Sequence, residues 1–217
     1  MKTMMKFALA STLFLITSMP WVCWAQGNVD AGKVKSVNCV ACHGADGNAT
    51  NPAWPKIAGQ HEKYMVSQLM EFKKGESGKR YEPIKYAIVK DLREEDIADL
   101  AAYFASQTMT IGEADPALVK LGEKIYRGGN VESGVTACLA CHGPAGLGNA
   151  LANYPRLAGQ HPEYVLAQLK KFQTGKRSND EAGMMQSLAK RMTEQEMQAV
   201  ASYVFGLQLA SPIARDK

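Results

Sequence analysis

One short pattern occurs twice in this chain, about a hundred residues apart: a cysteine, two further residues, a second cysteine and a histidine. In a C-x-x-C-H segment, each cysteine sulfur can form a thioether with a porphyrin vinyl group, and the adjacent histidine points a ring nitrogen at the iron. The two copies therefore predict two covalently attached haem c groups. The predicted attachment residues are Cys39, Cys42, Cys138 and Cys141, and the predicted proximal iron ligands are His43 and His142.

Two other uses of paired cysteines fit this pattern less well. Zinc sites also use C-x-x-C, but two cysteines and the next residue rarely complete a tetrahedron together, and a fourth ligand would be needed. A structural disulfide would not require a histidine after each pair. A chain with two redox centres is by default an electron carrier.

The first 25 residues have the composition of a secretory signal. Lys2 and Lys6 precede an apolar run over residues 7–19, and a small residue, Ala25, ends the segment at the expected cleavage site. The run is too short to cross a bilayer comfortably. We predict that residues 1–25 are removed on export, which leaves four cysteines, all in the two motifs, because Cys23 falls inside the signal.

The repeat extends well beyond the cysteines. The segment Trp54–His61 matches Tyr154–His161, and aromatic residues recur further along at Phe72 and Phe172 and at Tyr103 and Tyr203. Self-similarity over about a hundred residues indicates two copies of one domain rather than a short-period array. We predict domains at 26–110 and 111–217, joined by a linker over residues 108–115.

Each copy predicts the same helical layout. A helix leads into the haem motif, a loop rich in Gly and Asn follows, and two longer helices complete the domain. Thr193 and Glu196 have the spacing of a capping box for the last helix. No alternating strand pattern occurs, so the expected fold is all-α. The predicted helices cover residues 29–37, 60–74 and 94–107, then 116–127, 160–173 and 194–207.

Taken together, the two C-x-x-C-H motifs, the Pro-Lys/Arg-x-Ala-Gly-Gln stretch after each, and a closing Ala-x-Tyr helix resemble the dihaem cytochrome c4 family. The resemblance implies two tandem class I cytochrome c domains, each wrapped around one haem, with the haem propionates near the interface between them. Proteins of this family are electron carriers in the periplasm or at the membrane surface. They take electrons from quinol-oxidising complexes and pass them to respiratory terminal oxidases.

The resemblance also assigns individual residues. Pro55 and Pro155 match the proline whose backbone carbonyl accepts a hydrogen bond from the proximal histidine, a bond that orients the ring and raises its basicity. Met185 matches the distal ligand of the second haem, ahead of its neighbour Met184. The position in the first half that corresponds to Met185 is Lys85.

This departure leaves the distal ligand of the first haem open. Lys85 is one candidate, as a neutral amine. Another is a tyrosine or methionine elsewhere in the first half, and a third is a five-coordinate iron that binds water or a small molecule. Lys85 could also be an ordinary solvated side chain. The other donors considered are Tyr81, Tyr86, Met65, Met70 and Met109.

Several other polar residues recur in both halves. We expect His61 and His161 to begin a helix near the haem edge rather than to bind iron, because they recur equally and cannot explain a difference between the halves. Tyr64, Gln68, Tyr164 and Gln168 are expected to pack between helices or to contact propionates.

Charge excludes one class of partner. The formal net charge is +4, and basic and acidic residues are nearly balanced in each half. Because haem propionates add negative charge, neither half offers a nucleic-acid-binding surface. The expected partners are redox proteins. The alternatives are a dihaem enzyme of the peroxidase or thiosulfate-oxidising type, or a haem sensor, either of which would use the first haem.

Overall fold

The computed structural model describes residues 27–208. The predicted signal, residues 1–25, lies outside this range. The described part of the chain is all-α, as the sequence predicts, apart from two isolated β-bridges. Its helices are α1 Val29–Lys35, α2 Val37–His43, α3 Glu62–Lys73, α4 Pro83–Val89, α5 Glu94–Ala105, α6 Val119–Gly128, α7 Leu139–His142, α8 Pro162–Gln173, α9 Met184–Ala189 and α10 Glu194–Phe205. None of them is both long and apolar enough to cross a membrane.

The same packing scheme is built twice. In the first domain α1 packs on α5, with α3 beside them. In the second domain α6 packs on α10, with α8 beside them. Glycines permit the closest approaches: a β-carbon on Gly32 would lie 2.0 Å from the carbonyl oxygen of Asp99, and one on Gly122 would lie 2.2 Å from that of Ala199. These contacts leave room for the backbones of the crossing helices but for no side chain between them.

The structure corrects two helix predictions. The helix predicted over 29–37 ends at Lys35, and after Ser36 a separate helix carries the first motif. The helices α4 and α9, which carry Lys85 and Met185, were not predicted at all. The predicted capping box is confirmed, because the Thr193 side chain accepts from the backbone of Glu196 and the Glu196 carboxylate accepts from that of Thr193.

The two cores differ in size. In the first domain the buried residues that pack into one cluster are Met65, Leu100, Ala101, Tyr103 and Phe104. The second domain has a larger core, made by residues of α6, α8 and α10 together with Ala189 and Met192. The first domain therefore depends more heavily on whatever fills the space beside its core.

Hydrogen bonds tie the segment between the domains to both of them. The Thr110 amide donates to Asn48 Oδ1 at 2.8 Å, and the Asp115 amide donates to Ser202 Oγ at 2.8 Å. Gly112 lies under the ring of Phe205, where a β-carbon would come within 2.0 Å of the ring. The connection is thus packed against the second domain rather than extended away from it.

Candidate haem sites

The first motif ends in a buried histidine whose orientation is set by the backbone. His43 is the last residue of α2, and its Nδ1 lies 2.8 Å from the carbonyl oxygen of Pro55. A carbonyl can only accept, so Nδ1 carries the proton and Nε2 has its lone pair available for a metal. Burial, followed by the charge of Lys85, lowers the pKa of His43 to about 4. The ring is therefore neutral at physiological pH, as a metal ligand must be.

The second motif repeats this arrangement. His142 ends the short helix α7, and its Nδ1 lies 2.9 Å from the carbonyl oxygen of Pro155. Burial lowers the pKa of His142 as well. Each histidine thus has the carbonyl partner that the sequence suggested, and each leaves Nε2 facing away from it.

All four motif cysteines line one large cavity, and none of them is in a disulfide. Burial raises the pKa of Cys138 to about 11 and also raises that of Cys39. Cys39 and Cys138 are therefore neutral thiols held next to an apolar space. The four cysteines are placed to form bonds to a ligand in the cavity rather than to each other.

The cavity has a volume of about 1280 Å³ and runs across both domains. It exceeds the range of about 300–1,000 Å³ that is usual for a single small-molecule site. Both histidines and both cysteine pairs contribute to its wall, which is mostly apolar. A space of this kind, with two thiol pairs and two neutral imidazoles, fits two large apolar discs better than one compact ligand.

Two buried arginines mark the polar part of this cavity. Arg80 donates to the Tyr164 hydroxyl at 2.7 Å and Arg177 donates to the Tyr64 hydroxyl at 2.8 Å, so each reaches across to the other domain. Both also donate to the side-chain oxygens of Gln68 and Gln168.

Within residues 27–208, neither arginine forms a salt bridge with a carboxylate. The Nε of Arg80 is buried with no hydrogen-bond partner. Buried charges normally occur paired, so we expect anionic groups beside these two guanidiniums in the complete protein. The propionates of two haems would supply them.

Met185 and Lys85 lie on equivalent short helices, and both line the cavity. Met185 is half-buried and packs against the core of the second domain, whereas Met184 is 41 % exposed. In the first domain, Lys85 Nζ lies 2.8 Å from His43 Nε2, and it lies 5.4 Å from the centre of the Trp54 ring. Burial lowers the pKa of Lys85. The side chain is therefore not the solvated lysine considered as one alternative.

The other distal candidates of the first half lie elsewhere. Tyr81 and Tyr86 are exposed and pack against each other, with ring centres 6.3 Å apart. Met109 is buried, but it is away from the cavity wall, and so is the half-buried Met70. Met65 does line the cavity as part of the first core.

The recurring histidines do not line this cavity. His61 precedes α3, and its Nε2 is buried with no partner. His161 Nε2 lies 2.7 Å from the carbonyl oxygen of Ala49 in the other domain. Both histidines precede a helix as expected, but neither lines the cavity, and His161 instead makes a contact between the domains.

Two glutamines to which the sequence assigned no role connect the domains next to the prolines that bond the proximal histidines. Gln160 accepts from the Lys56 amide at 2.9 Å and donates to the Lys56 carbonyl at 2.7 Å. Gln60 accepts from the Arg156 amide at 2.9 Å and donates to the Arg156 carbonyl at 3.0 Å. Each half makes the same contact to the other, as in an interface with two-fold symmetry.

Comparison with known proteins agrees with this geometry. The cytochrome c family model matches residues 29–108 and again residues 119–208. Cytochrome c4 of Pseudomonas aeruginosa is 43% identical over 197 residues, which cover 90% of this chain and 96% of that protein. A thiosulfate dehydrogenase electron acceptor of Thiomonas intermedia is 33% identical over 210 residues, covering 94% of this chain and 90% of that protein.

The fold has a close counterpart among solved structures. The crystal structure of reduced recombinant cytochrome c4 from Pseudomonas stutzeri superimposes with a TM-score of 0.82 at 42% identity. The match covers 84% of this chain and 100% of that one.

Proposed function

This chain belongs to the cytochrome c family as a dihaem cytochrome c4 with two covalently bound haem c groups, and from that premise we propose that it carries single electrons between redox proteins in the periplasm. The observation that carries the proposal is the single cavity that both haem motifs share across the domain interface. Two redox centres that share one cavity can exchange electrons with each other inside the protein.

The chain's own residues have distinct tasks in this function. Cys39, Cys42, Cys138 and Cys141 attach the cofactors, and His43, His142 and Met185 bind iron. When bound, each haem supplies a one-electron couple at its iron. The carbonyls of Pro55 and Pro155 orient the two histidines, and Arg80 and Arg177 balance the propionate charge inside the cavity.

For the partners, we propose a quinol-oxidising complex upstream and a respiratory terminal oxidase downstream. Support comes from the family resemblance and from the predicted signal, which would bring the protein to the periplasm, either free or at the membrane surface. The relative from Thiomonas intermedia bears the name of a thiosulfate dehydrogenase electron acceptor, so a sulfur-oxidising enzyme is the second candidate donor.

A redox titration of the exported protein tests the function. We expect two distinct midpoints, with the second haem at the higher potential, because a methionine ligand favours reduced iron. In stopped-flow experiments, electrons from a chemical reductant should settle on the second haem and then pass to membranes that contain terminal oxidase. Two indistinguishable midpoints would contradict the relay, and reduced protein that such membranes leave reduced would contradict the proposed acceptor.

The enzyme and sensor alternatives need a distal position that a substrate or gas can reach. In the first domain that position is taken by Lys85, which contacts His43 directly. This observation favours the carrier. Rapid binding of carbon monoxide to the first haem of the unmodified protein would reverse the preference.

A further inference from the structure

We propose that Nζ of Lys85 is the distal iron ligand of the first haem, so that the protein combines a histidine–lysine haem with a histidine–methionine haem. The inference rests on the haem-binding function proposed above and adds the identity of one ligand. It assigns the two domains different chemistry despite their shared fold.

The start of helix α4 determines where Lys85 lies. Pro83 opens α4 with a fixed φ, and Lys85 follows two residues later on the side that faces the cavity. Its amine lies 2.8 Å from Nε2 of His43, the nitrogen that the Pro55 carbonyl leaves available. The amine thus approaches the ring nitrogen at which the iron would sit, so Lys85 and His43 are placed to bind the same metal.

The distance between Lys85 Nζ and His43 Nε2 is compatible with replacing their hydrogen bond by one bond from each nitrogen to the iron. Metal–nitrogen bonds of about 2 Å place two ligand nitrogens on opposite sides of a metal about 4 Å apart. The lysine stem has four methylene groups, and its end rests over Trp54 rather than in a rigid hydrogen-bond network. A retreat of roughly 1 Å is therefore within reach of rotations about its own bonds.

No competing donor is placed as well among the described residues. Tyr81 and Tyr86 are exposed and do not line the cavity. Met65 lines the cavity, but its counterpart in the second half is Val165, which is likewise buried and cannot bind a metal. Met65 is held in the core cluster of the first domain, whereas the Lys85 amine contacts His43 Nε2 itself.

The test uses reciprocal variants of the exported protein with both haems attached. Wild type should show the ferric absorption band of methionine–iron coordination from one haem only. Lys85→Met should double that band, and Met185→Lys should abolish it. Lys85→Ala should give a high-spin ferric signal from one of the two haems, together with carbon monoxide binding at that haem.

The failures of the two proposals are distinguishable. A wild-type protein with methionine bands from both haems, or a Lys85→Ala spectrum identical to wild type, would overturn lysine ligation and leave the carrier function standing. A wild-type protein whose mass shows no attached haem would overturn both. If Lys85→Met does not fold, Lys85→Ala and Met185→Lys still decide the question.

A separate observation concerns the glutamines between the domains, and from it we infer that Gln60 and Gln160 each tune the haem of the opposite domain. The peptide group that joins Pro55 to Lys56 has its carbonyl on His43 Nδ1 and its N–H on Gln160 Oε1. One rigid peptide thus links a proximal histidine to a side chain of the other half.

The same link runs in the reverse direction. The peptide that joins Pro155 to Arg156 accepts from His142 Nδ1 and donates to Gln60 Oε1. Hydrogen bonds in a chain polarise one another, so a bond at the N–H makes the carbonyl a stronger acceptor. A stronger acceptor raises the basicity of the histidine, and a more basic ligand favours ferric iron.

Gln160→Leu should therefore raise the potential of the first haem and leave that of the second nearly unchanged, and Gln60→Leu should do the reverse. We expect the one-electron equilibrium constant of the remote haem to change by roughly twofold to fivefold, from a partial weakening of one hydrogen bond. Gln107→Leu is the matched control, because among residues 27–208 its side-chain amide bonds to Tyr103 and Ser106 of its own domain and to no residue of the other.

The inference is decided by which of the two haems changes its reduction potential. A change confined to the haem of the substituted domain, or equal at both haems, would overturn the inference. Gln160→Asn, which keeps the amide but shortens its reach, provides a second variant should the leucine disturb the interface. A remote shift in that variant, with an unchanged melting temperature, supports tuning rather than loosened packing.

Discussion

Protein produced without haem attachment is expected to lose its cooperative unfolding transition. The cavity of about 1280 Å³ lies between the helices of both domains. The cavity is partly open to solvent, so without haem its mostly apolar wall would face water, which would cost on the order of 10 kcal/mol. Domains of this size have net stabilities of only about 5–15 kcal/mol. The helices must therefore collapse into the space, and the specific packing of the native structure is lost.

Scanning calorimetry and near-UV circular dichroism of the apoprotein measure this effect. Two paired variants refine it: Cys39→Ala with Cys42→Ala removes attachment in the first domain, and Cys138→Ala with Cys141→Ala removes it in the second. We expect the first pair to disrupt its own domain more severely, because the first core is the smaller one. A cooperative transition of native enthalpy in the apoprotein would contradict the prediction.

The parts of this structure that the sequence predicts are those that repeat in register. The motifs and the long helices α3, α5, α8 and α10 recur at a nearly constant offset, and each of these helices spans three turns, enough to show a periodic pattern. Helices α4 and α9 have 7 and 6 residues, which is too short for such a pattern. The comparison of Lys85 with Met185 nevertheless singled out the two residues that these helices carry, because a departure from a repeat is itself a signal.

The polar side of the site was less accessible to sequence reasoning. Arg80 and Arg177 perform equivalent tasks, yet they are 97 positions apart, whereas the surrounding residues are 100 apart. They enter the cavity from segments of different local conformation and therefore do not align. Gln60 and Gln160 do align, but all of their partners are backbone groups, those of the other domain included, and no side-chain pattern records such a contact.

Replacing one of the buried arginines is expected to have the second large effect. In the holoprotein, Arg80→Met removes a buried guanidinium and would leave without a counter-charge the propionate that we propose it binds. Loss of one partner of a buried ion pair typically costs about 3–5 kcal/mol. The loss of positive charge also favours ferric iron, so the haem potentials should fall. A tenfold change in the one-electron equilibrium constant corresponds to about 59 mV.

Urea denaturation followed at the haem absorption, together with redox titration, measures both consequences. Arg93→Met is the matched control: Arg93 pairs with Asp96 at 3.1 Å, but its side chain is 69% exposed. An exposed pair of this kind contributes at most about 1 kcal/mol. Arg80→Lys should leave the haem potentials close to those of the wild type, because the positive charge remains. Its free energy of unfolding should still fall, because a lysine cannot bond to Tyr164, Gln68 and a propionate at once. If Arg80→Met proved as mild as Arg93→Met in both measurements, the guanidinium would not be the counter-charge of the haems, and the polar part of the cavity would need another explanation.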